Sequence, residues 1–199
     1  MFTINVKWDV RPMIDHLNRV AKGLGDQAIT SALNKTAAQA KTQMIRGITA
    51  EYAISAALVR ERLQVQRAKR AGMQFTATLV GNPSGTAKRA MNVIHFLERA
   101  TSMAEARRRR KSGTLAALYF KIKRAGGKQT IQGAFIGNQG RTVFRRVGKA
   151  RLPIEPVQTI GVPQMFMARK LQIPVQEWIT REFPRIFDHE MRYFLSTVK

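Results

Sequence analysis

Ile29, Leu33, Ala37, Ala40, Met44 and Ile48 recur every three or four positions, an apolar stripe running for about five helical turns. A helix of that length with one apolar face is not itself a fold. It has to lay that face on another layer of structure. Asp26 is placed to cap it. Upstream, Ile14, Leu17, Ala21 and Leu24 keep the same spacing. Pro12 suits a first helical turn and Gly23 and Gly25 a helix end, so a shorter helix is expected there. Downstream, Ser55 has Ile54 before it and Val59 at the fourth helical position, a hydrophobic staple that predicts a third helix over 56–66. That helix would carry Arg60, Arg62 and Arg67, with Lys69 and Arg70 following.

Elsewhere the period drops to two. Phe2, Ile4, Val6 and Trp8 alternate with polar residues, as a half-buried strand does. Phe75, Ala77 and Leu79 alternate with Thr76, Thr78 and Val80, and Gly81-Asn82-Pro83 ends the run. Leu118, Phe120 and Ile122 oppose Tyr119, Lys121 and Lys123, and Gly126-Gly127 offers a turn. Ile131, Gly133 and Phe135 then resume, which predicts a hairpin. Asn138 to Gly140 can turn into a strand over 142–147, and Pro153 and Pro156 restrict 154–160 to an edge strand or an extended crossing. After Pro163 a helical pattern returns, with Ile179, Phe183, Phe187, Met191, Phe194 and Val198 at threes and fours. Pro174 and Pro184 are expected to break it into pieces. Met165, Phe166 and Met167 read as core packing or as a contact between subunits. The fold class is therefore α+β: N-terminal helices and a C-terminal helical segment flanking a mostly antiparallel sheet. A chain of 199 residues suits one domain. Its expected parts are a mainly helical 1–72, a basic β-rich 73–160 with a mobile loop near 101–114, and C-terminal helices over 161–199.

Charge is distributed less evenly than the apolar residues. Lys and Arg number 35 against 12 Asp and Glu, a formal net charge of +23. Self-repulsion on that scale calls for an anionic partner, whether nucleic acid, an acidic protein or an anionic membrane surface. A hydrophobic content of 44% means that the charge decorates a folded core and not a disordered tail. The excess is concentrated over 107–151, which has no Asp or Glu. Its cations are Arg107, Arg108, Arg109, Arg110, Lys111, Lys121, Lys123, Arg124, Lys128, Arg141, Arg145, Arg146, Lys149 and Arg151, and these are the candidate binding residues. The first five occupy an expected loop, mobile without its partner. Others fall on the hairpin and the strand after it. A solvated surface is the plain alternative. Six such cations neutralising duplex phosphates would give a log-log salt slope of about −5. Nothing in the sequence reads base edges, so DNA contact would be independent of sequence.

Reaction chemistry finds little support. His16, His95 and His189 lack ligand spacing, and the carboxylates form no compact motif, so neither a metal nor a catalytic site is expected. Asp188 and Glu190 flank His189 as an expected surface polar patch. Gly126-Gly127 lacks the remaining residues of a phosphate loop. No cofactor is expected, and the chain is read as no enzyme. The absence of cysteine fits a reducing compartment. No apolar run reaches membrane-spanning length and residues 1–10 do not form a signal-type apolar block, so a soluble intracellular protein is expected.

The run GGKQTIQGAFIGNQGRTVFRRVGKARLPIEPVQTIGVPQMFMARK, residues 126–170, resembles the lambda-type minor tail protein Z (tail completion protein) family of tailed bacteriophages. The shared features come in order. They are a basic stretch, the Gly133-Ala134-Phe135-Ile136 element, Phe144-Arg145-Arg146 with Gly148-Lys149, the Leu152-Pro153-Ile154 step and the Val162-Pro163 helix opening. AITSALNKTA at 28–37 and LVRERLQVQRA at 58–68 look like the family's N-terminal helical half, and the resemblance spans 24–198. The strand at 1–8 and the linker expected over 82–101 match less closely.

That resemblance implies a structural virion protein, assembled in the host cytoplasm and added late at the head-proximal tail or neck. Its role there would be tail completion and head-tail joining or DNA passage. Implied partners are the tail terminator, tail tube and tape measure, with phage DNA contacted without sequence specificity. A homo-oligomeric ring, a hexamer by analogy with tail symmetry, is implied as well. The second reading is a stand-alone, sequence-independent nucleic-acid-binding protein.

Overall fold

The computed structural model of the chain describes residues 23–71, 74–81, 90–98, 118–148 and 150–197. The strand expected at 2–8, the body of the short helix after Pro12 and the loop expected near 101–114 lie outside the described residues.

The long apolar stripe becomes helix α1, Leu24–Glu51. It begins earlier than Asp26 would set it. Gly23, at φ 83°, takes the left-handed conformation that glycine tolerates, and the helix starts at the next residue. Asp26 therefore lies in the first turn, where its charge suits the helix dipole, and is not the cap. Leu24 and Gly25 belong to this helix and are buried in it, so neither ends a preceding one. Ser55 does act as a cap: its Oγ accepts the Leu58 N–H at 3.3 Å and starts α2, Ala56–Arg62.

The helix predicted to reach Gln66 stops at Arg62, and the chain turns into β1, Leu63–Ala71. The competing force is cross-strand burial. β1 pairs antiparallel with β2, Gln74–Gly81, setting Leu63 opposite Gly81 and Val65 opposite Leu79. Leu63 and Leu79 are fully buried by that pairing, which outweighs the helical propensity of the run. The register shifts between Gln66 and Lys69. There the Ala68 N–H donates to Asn34 Oδ1 of α1 at 2.7 Å, so the irregular strand is tied to the long helix.

The expected linker over 82–101 is partly core. Its described end forms β3, Ala90–Asn92, and a 3-10 turn, Val93–Phe96, in which Val93 and Phe96 are buried. The predicted 118–135 hairpin divides in two. β4, Tyr119–Phe120, pairs with β5, Gln129–Thr130, whereas Phe135 lies in β6, Ala134–Gly137, opposite Phe144 of β7, Thr142–Arg146. A turn separates them: Gly133 sits at φ 72° and the Ala134 N–H donates to the Ile131 carbonyl at 3.1 Å. β8, Ile154–Pro156, completes a β6-β7-β8 sheet, and β9, Gln158–Ile160, pairs with β3. The stretch over 154–160 is thus an extended crossing from one sheet to another. Val157 stitches the two, donating to the Val143 carbonyl at 2.9 Å and accepting the Val93 N–H at 3.0 Å.

Pro163 opens α3, Val162–Phe166, where the Gln164 side chain takes the Gly161 N–H at 2.9 Å. Met165 and Phe166 are core, whereas Met167 is 64% exposed and ends the helix. The last element, α4, Arg169–Thr197, is one continuous helix through both Pro174 and Pro184. Packing explains why the expected break is missing. Leu171, Val175, Ile179, Phe183 and Phe187 form one buried stripe that spans both prolines and holds the helix against α1. The two helices run antiparallel, with Leu171 near Gly47 and Glu190 bonded to Ser31. The expected α+β class is therefore realised, with helices flanking several small antiparallel sheets in place of one large one. Two core clusters lie along the α1–α4 contact, and a third, Val93, Leu118, Phe120 and Val143, underlies the small sheets.

Candidate polyanion and partner interface

Of the cations singled out over 107–151, Arg107, Arg108, Arg109, Arg110, Lys111 and Lys149 lie outside the described residues. The other eight fall into two groups. The first surrounds the β4–β5 hairpin. Lys123, Arg124 and Lys128 are exposed, and Lys121 is half-buried against a cleft of about 340 Å³ shared with Glu98, Phe96 and Arg124. Lys128 pairs with Glu98 at 3.0 Å. Arg124 Nε donates to the Thr49 carbonyl at 2.6 Å, near the end of α1, so its charge helps hold the hairpin there. The Arg124 N–H also donates to the Glu51 carbonyl at 2.9 Å. These bonds orient the hairpin, and Lys123 still points to solvent.

The second group sits on the β6-β7-β8 sheet. Strand alternation and register divide its two faces. Val143 and Ala134 look inward onto the core that contains Phe120 and Leu118. Arg145 lies at the margin of that face and meets Glu155 across the strands at 3.7 Å. Phe135, Phe144 and Arg146 look outward. The two rings stack at 6.1 Å and the Arg146 guanidinium lies 5.6 Å from the Phe135 ring centre. Gly137 makes room for this: a Cβ there would stand 3.0 Å from the Phe144 ring. Arg141 is exposed in the β6–β7 turn and Arg151 in the β7–β8 connection.

The cations of α4 behave differently. Arg181 pairs with Glu182 at 2.8 Å, Arg192 with Asp188 at 2.9 Å and Lys170 with Glu51 at 2.8 Å. Lys170 holds the Glu51 carboxyl below the usual range through that hydrogen bond, and Arg181 does the same for Glu182. Among the described residues, Lys121, Lys123, Arg141, Arg146 and Arg151 form no such ion pair. On α4, Lys170, Arg181, Arg185 and Arg192 are paired with carboxylates, whereas Arg169 and most cations of the small sheets, like Arg46 of α1 and Arg60 of α2, are left over among the described residues.

Two polar side chains have structural roles that the sequence did not show. Asn92 acts as a clamp. Its Nδ2 donates to the Val143 carbonyl at 3.1 Å, and its Oδ1 accepts the N–H of Val143 at 2.9 Å and of Ile94 at 3.1 Å. The side chain thus does what a neighbouring strand would do, joining β3 to β7. The second is Glu190, read from sequence as part of a surface patch and in fact only 2% exposed. It accepts Ser31 Oγ and Lys35 Nζ, each at 2.6 Å, across the α1–α4 contact. His189, its neighbour, points outward.

Among the described residues no three His, Asp or Glu side chains converge as metal ligands, and no helix is long and apolar enough to cross a membrane. The arrangement defines a structural class: two long antiparallel helices flanked by small antiparallel sheets that carry exposed cations. A family model for prophage minor tail protein Z matches residues 10–199, and the chain belongs to that family of phage tail structural proteins. No curated protein and no solved structure matches the chain.

Proposed function

We propose that this minor tail protein completes the head-proximal end of the phage tail. In this reading it works at the neck in head-tail joining or DNA passage, as one tail-completion domain repeated in a ring about the tail axis. Its basic surface carries the role. The β4–β5 hairpin and the outer sheet face a polyanion, either packaged DNA or acidic neighbours among the tail terminator, tail tube and tape measure, and the Arg107 to Lys111 run of the sequence contributes further charge to that contact. The observation behind this is the concentration of unpaired charge: Lys121, Lys123, Arg141, Arg146 and Arg151 form no ion pair among the described residues, whereas Lys170, Arg181, Arg185 and Arg192 of α4 do. Unscreened positive charge is a standing cost unless an assembly supplies the counter-charge. Binding without sequence preference fits a surface that offers point charges and guanidinium groups and no recognition helix.

The test replaces Arg107, Arg108, Arg109, Arg110 and Lys111 together by Gln and counts assembled, infectious particles. Particle yield or infectivity is expected to fall by about tenfold or more, since several charge contacts are lost at once. Wild-type yield and infectivity would leave the run as a solvated surface. A chain that coats DNA of any length and never joins tails would instead be a stand-alone nucleic-acid-binding protein.

A further inference from the structure

The outward face of the β6-β7-β8 sheet is not built like a simple phosphate-binding surface. Register places Phe144 between Phe135 and Pro156, and Arg146 opposite Ile154. Leu152, just before β8, is 67% exposed and Ile154 is 37% exposed. None of these apolar side chains belongs to a core cluster of the described residues. The result is an aromatic and aliphatic centre with Arg146 across it, and with Arg141 and Arg151 at the connections on either side of β7. We infer that this face docks a different protein whose surface is apolar at its centre and acidic at its edge. The inference rests on the tail reading above, which supplies the setting in which such a neighbour is met.

Three occupants are conceivable, and chemistry separates them. Single-stranded nucleic acid would need open aromatic faces for its bases. Here Phe135 already has Phe144 stacked beside it and Arg146 over it. Phosphates also leave exposed Leu and Ile side chains without a favourable partner. A second copy of this chain would have to bring acid to these arginines. Its carboxylates are few: Glu51, Glu98, Glu155, Glu182, Asp188 and Glu190 are already ion-paired within the chain, and the exposed Glu61 and Glu177 stand singly on α2 and α4 and do not form an acidic rim. Face-to-face self-association would also set Arg146 against like charge, which disfavours it. An acidic-rimmed apolar partner satisfies both halves of the face at once. It would bury the aliphatic and aromatic centre, where interface energy concentrates, and pair the arginines around it.

The experiment incubates purified full-length chain with tails assembled without it and measures retention after sedimentation. The key variant is Leu152→Ser with Ile154→Ser, which removes apolar surface, keeps the charge and alters residues that the fold leaves exposed. Its retention is expected to be about tenfold weaker than wild type or worse. Its thermal midpoint and its retention on duplex DNA are expected to be unchanged. The double variant Arg141→Gln with Arg151→Gln supplies a second route, should the first fail to fold. It is expected to weaken retention on tails at low salt, with the difference narrowing as salt rises. Wild-type retention of either folded variant overturns the proposal. So does a parallel loss of DNA binding in the Ser variant, which would make nucleic acid the occupant. A change in the mass of the isolated Ser variant in solution would do the same for a second copy. If wild-type chain itself is not held by tails, the underlying tail reading fails, a result distinct from these.

Discussion

Glu190 shows how one buried residue can couple the two ends of a chain. Burial pushes its carboxyl pKa up, yet the hydrogen bonds from Lys35 and Ser31, together with the Lys35 and His189 charges, more than offset this and hold it below the usual carboxylate range. A carboxyl lowered in the folded state adds stability above its unfolded pKa, and that stability is lost as pH falls through the folded value. Replacing Glu190 by Gln is therefore expected to lower stability at neutral pH by about 1–3 kcal/mol, since Lys35 loses its counter-charge and a buried acceptor is weakened. The same change should flatten the stability profile below about pH 4.3, where an unfolded Glu takes up its proton. Denaturant titrations of both proteins across that range check this, and an unchanged acid slope would remove Glu190 from the account. No local pattern exposed this role. Glu190 lies 159 residues from Ser31 and 155 from Lys35, and beside Asp188 and His189 it has the local look of a solvated helix surface. The fourteen cations were legible as a set because they crowd one stretch. Which of them are spent internally, such as Arg124 on the Thr49 carbonyl, depends on how the hairpin folds back onto α1.

At the level of elements, the helices were legible wherever a stripe is long enough to define its own face, as over α1 and α4. Short strands were not. Leu63 and Val65 fit a helix as well as a strand until Gly81 and Leu79 are brought opposite them. Pro184 looked like a break because a proline removes a backbone donor, but the buried Phe183 and Phe187 around it outweigh that loss. The division of the small sheets was equally hidden, since it turns on Asn92. One side chain meets both backbone groups of Val143 and thereby joins β3 to the sheet that carries Phe144, Arg145 and Arg146. Asn92→Ala leaves those groups without this partner in a half-buried setting, which is expected to cost about 1–3 kcal/mol. Amide hydrogen exchange should locate the damage. Protection should fall at Val143 and Ile94 and persist along α1, whose contacts with α4 do not involve Asn92. A uniform loss over both helices would instead mean that the sheets and the helical frame unfold as one unit.

For the molecule as a whole, net charge sets a condition that neither packing nor hydrogen bonding removes. A formal charge of +23 on 199 residues makes the folded state repel itself, and the ion pairs of α4 relieve only part of that repulsion. The isolated chain should accordingly gain stability from simple screening. Raising sodium chloride from roughly 0.01 M to 0.15 M shortens the Debye length from about 30 Å to about 8 Å. That change is expected to raise the thermal midpoint, although it also weakens the exposed helix pairs. A flat or falling midpoint would mean that repulsion is balanced within the fold and that no partner is needed to supply charge. A polyanion goes further than screening, because it binds the folded surface and stabilises it by linkage. Short duplex DNA should therefore raise the midpoint at low salt beyond the effect of salt alone, and the gain should vanish as salt rises. With about six phosphates neutralised, the affinity behind that gain would fall with a log-log slope of about −5. Replacing Lys121, Lys123, Arg141, Arg146 and Arg151 by Gln should flatten that slope, if these cations are the ones that meet phosphate. Replacing the ion-paired Arg181 and Arg192 should leave it nearly unchanged. Equal effects from the two sets would show that overall charge, and not the left-over charge of the small sheets, governs what this surface binds.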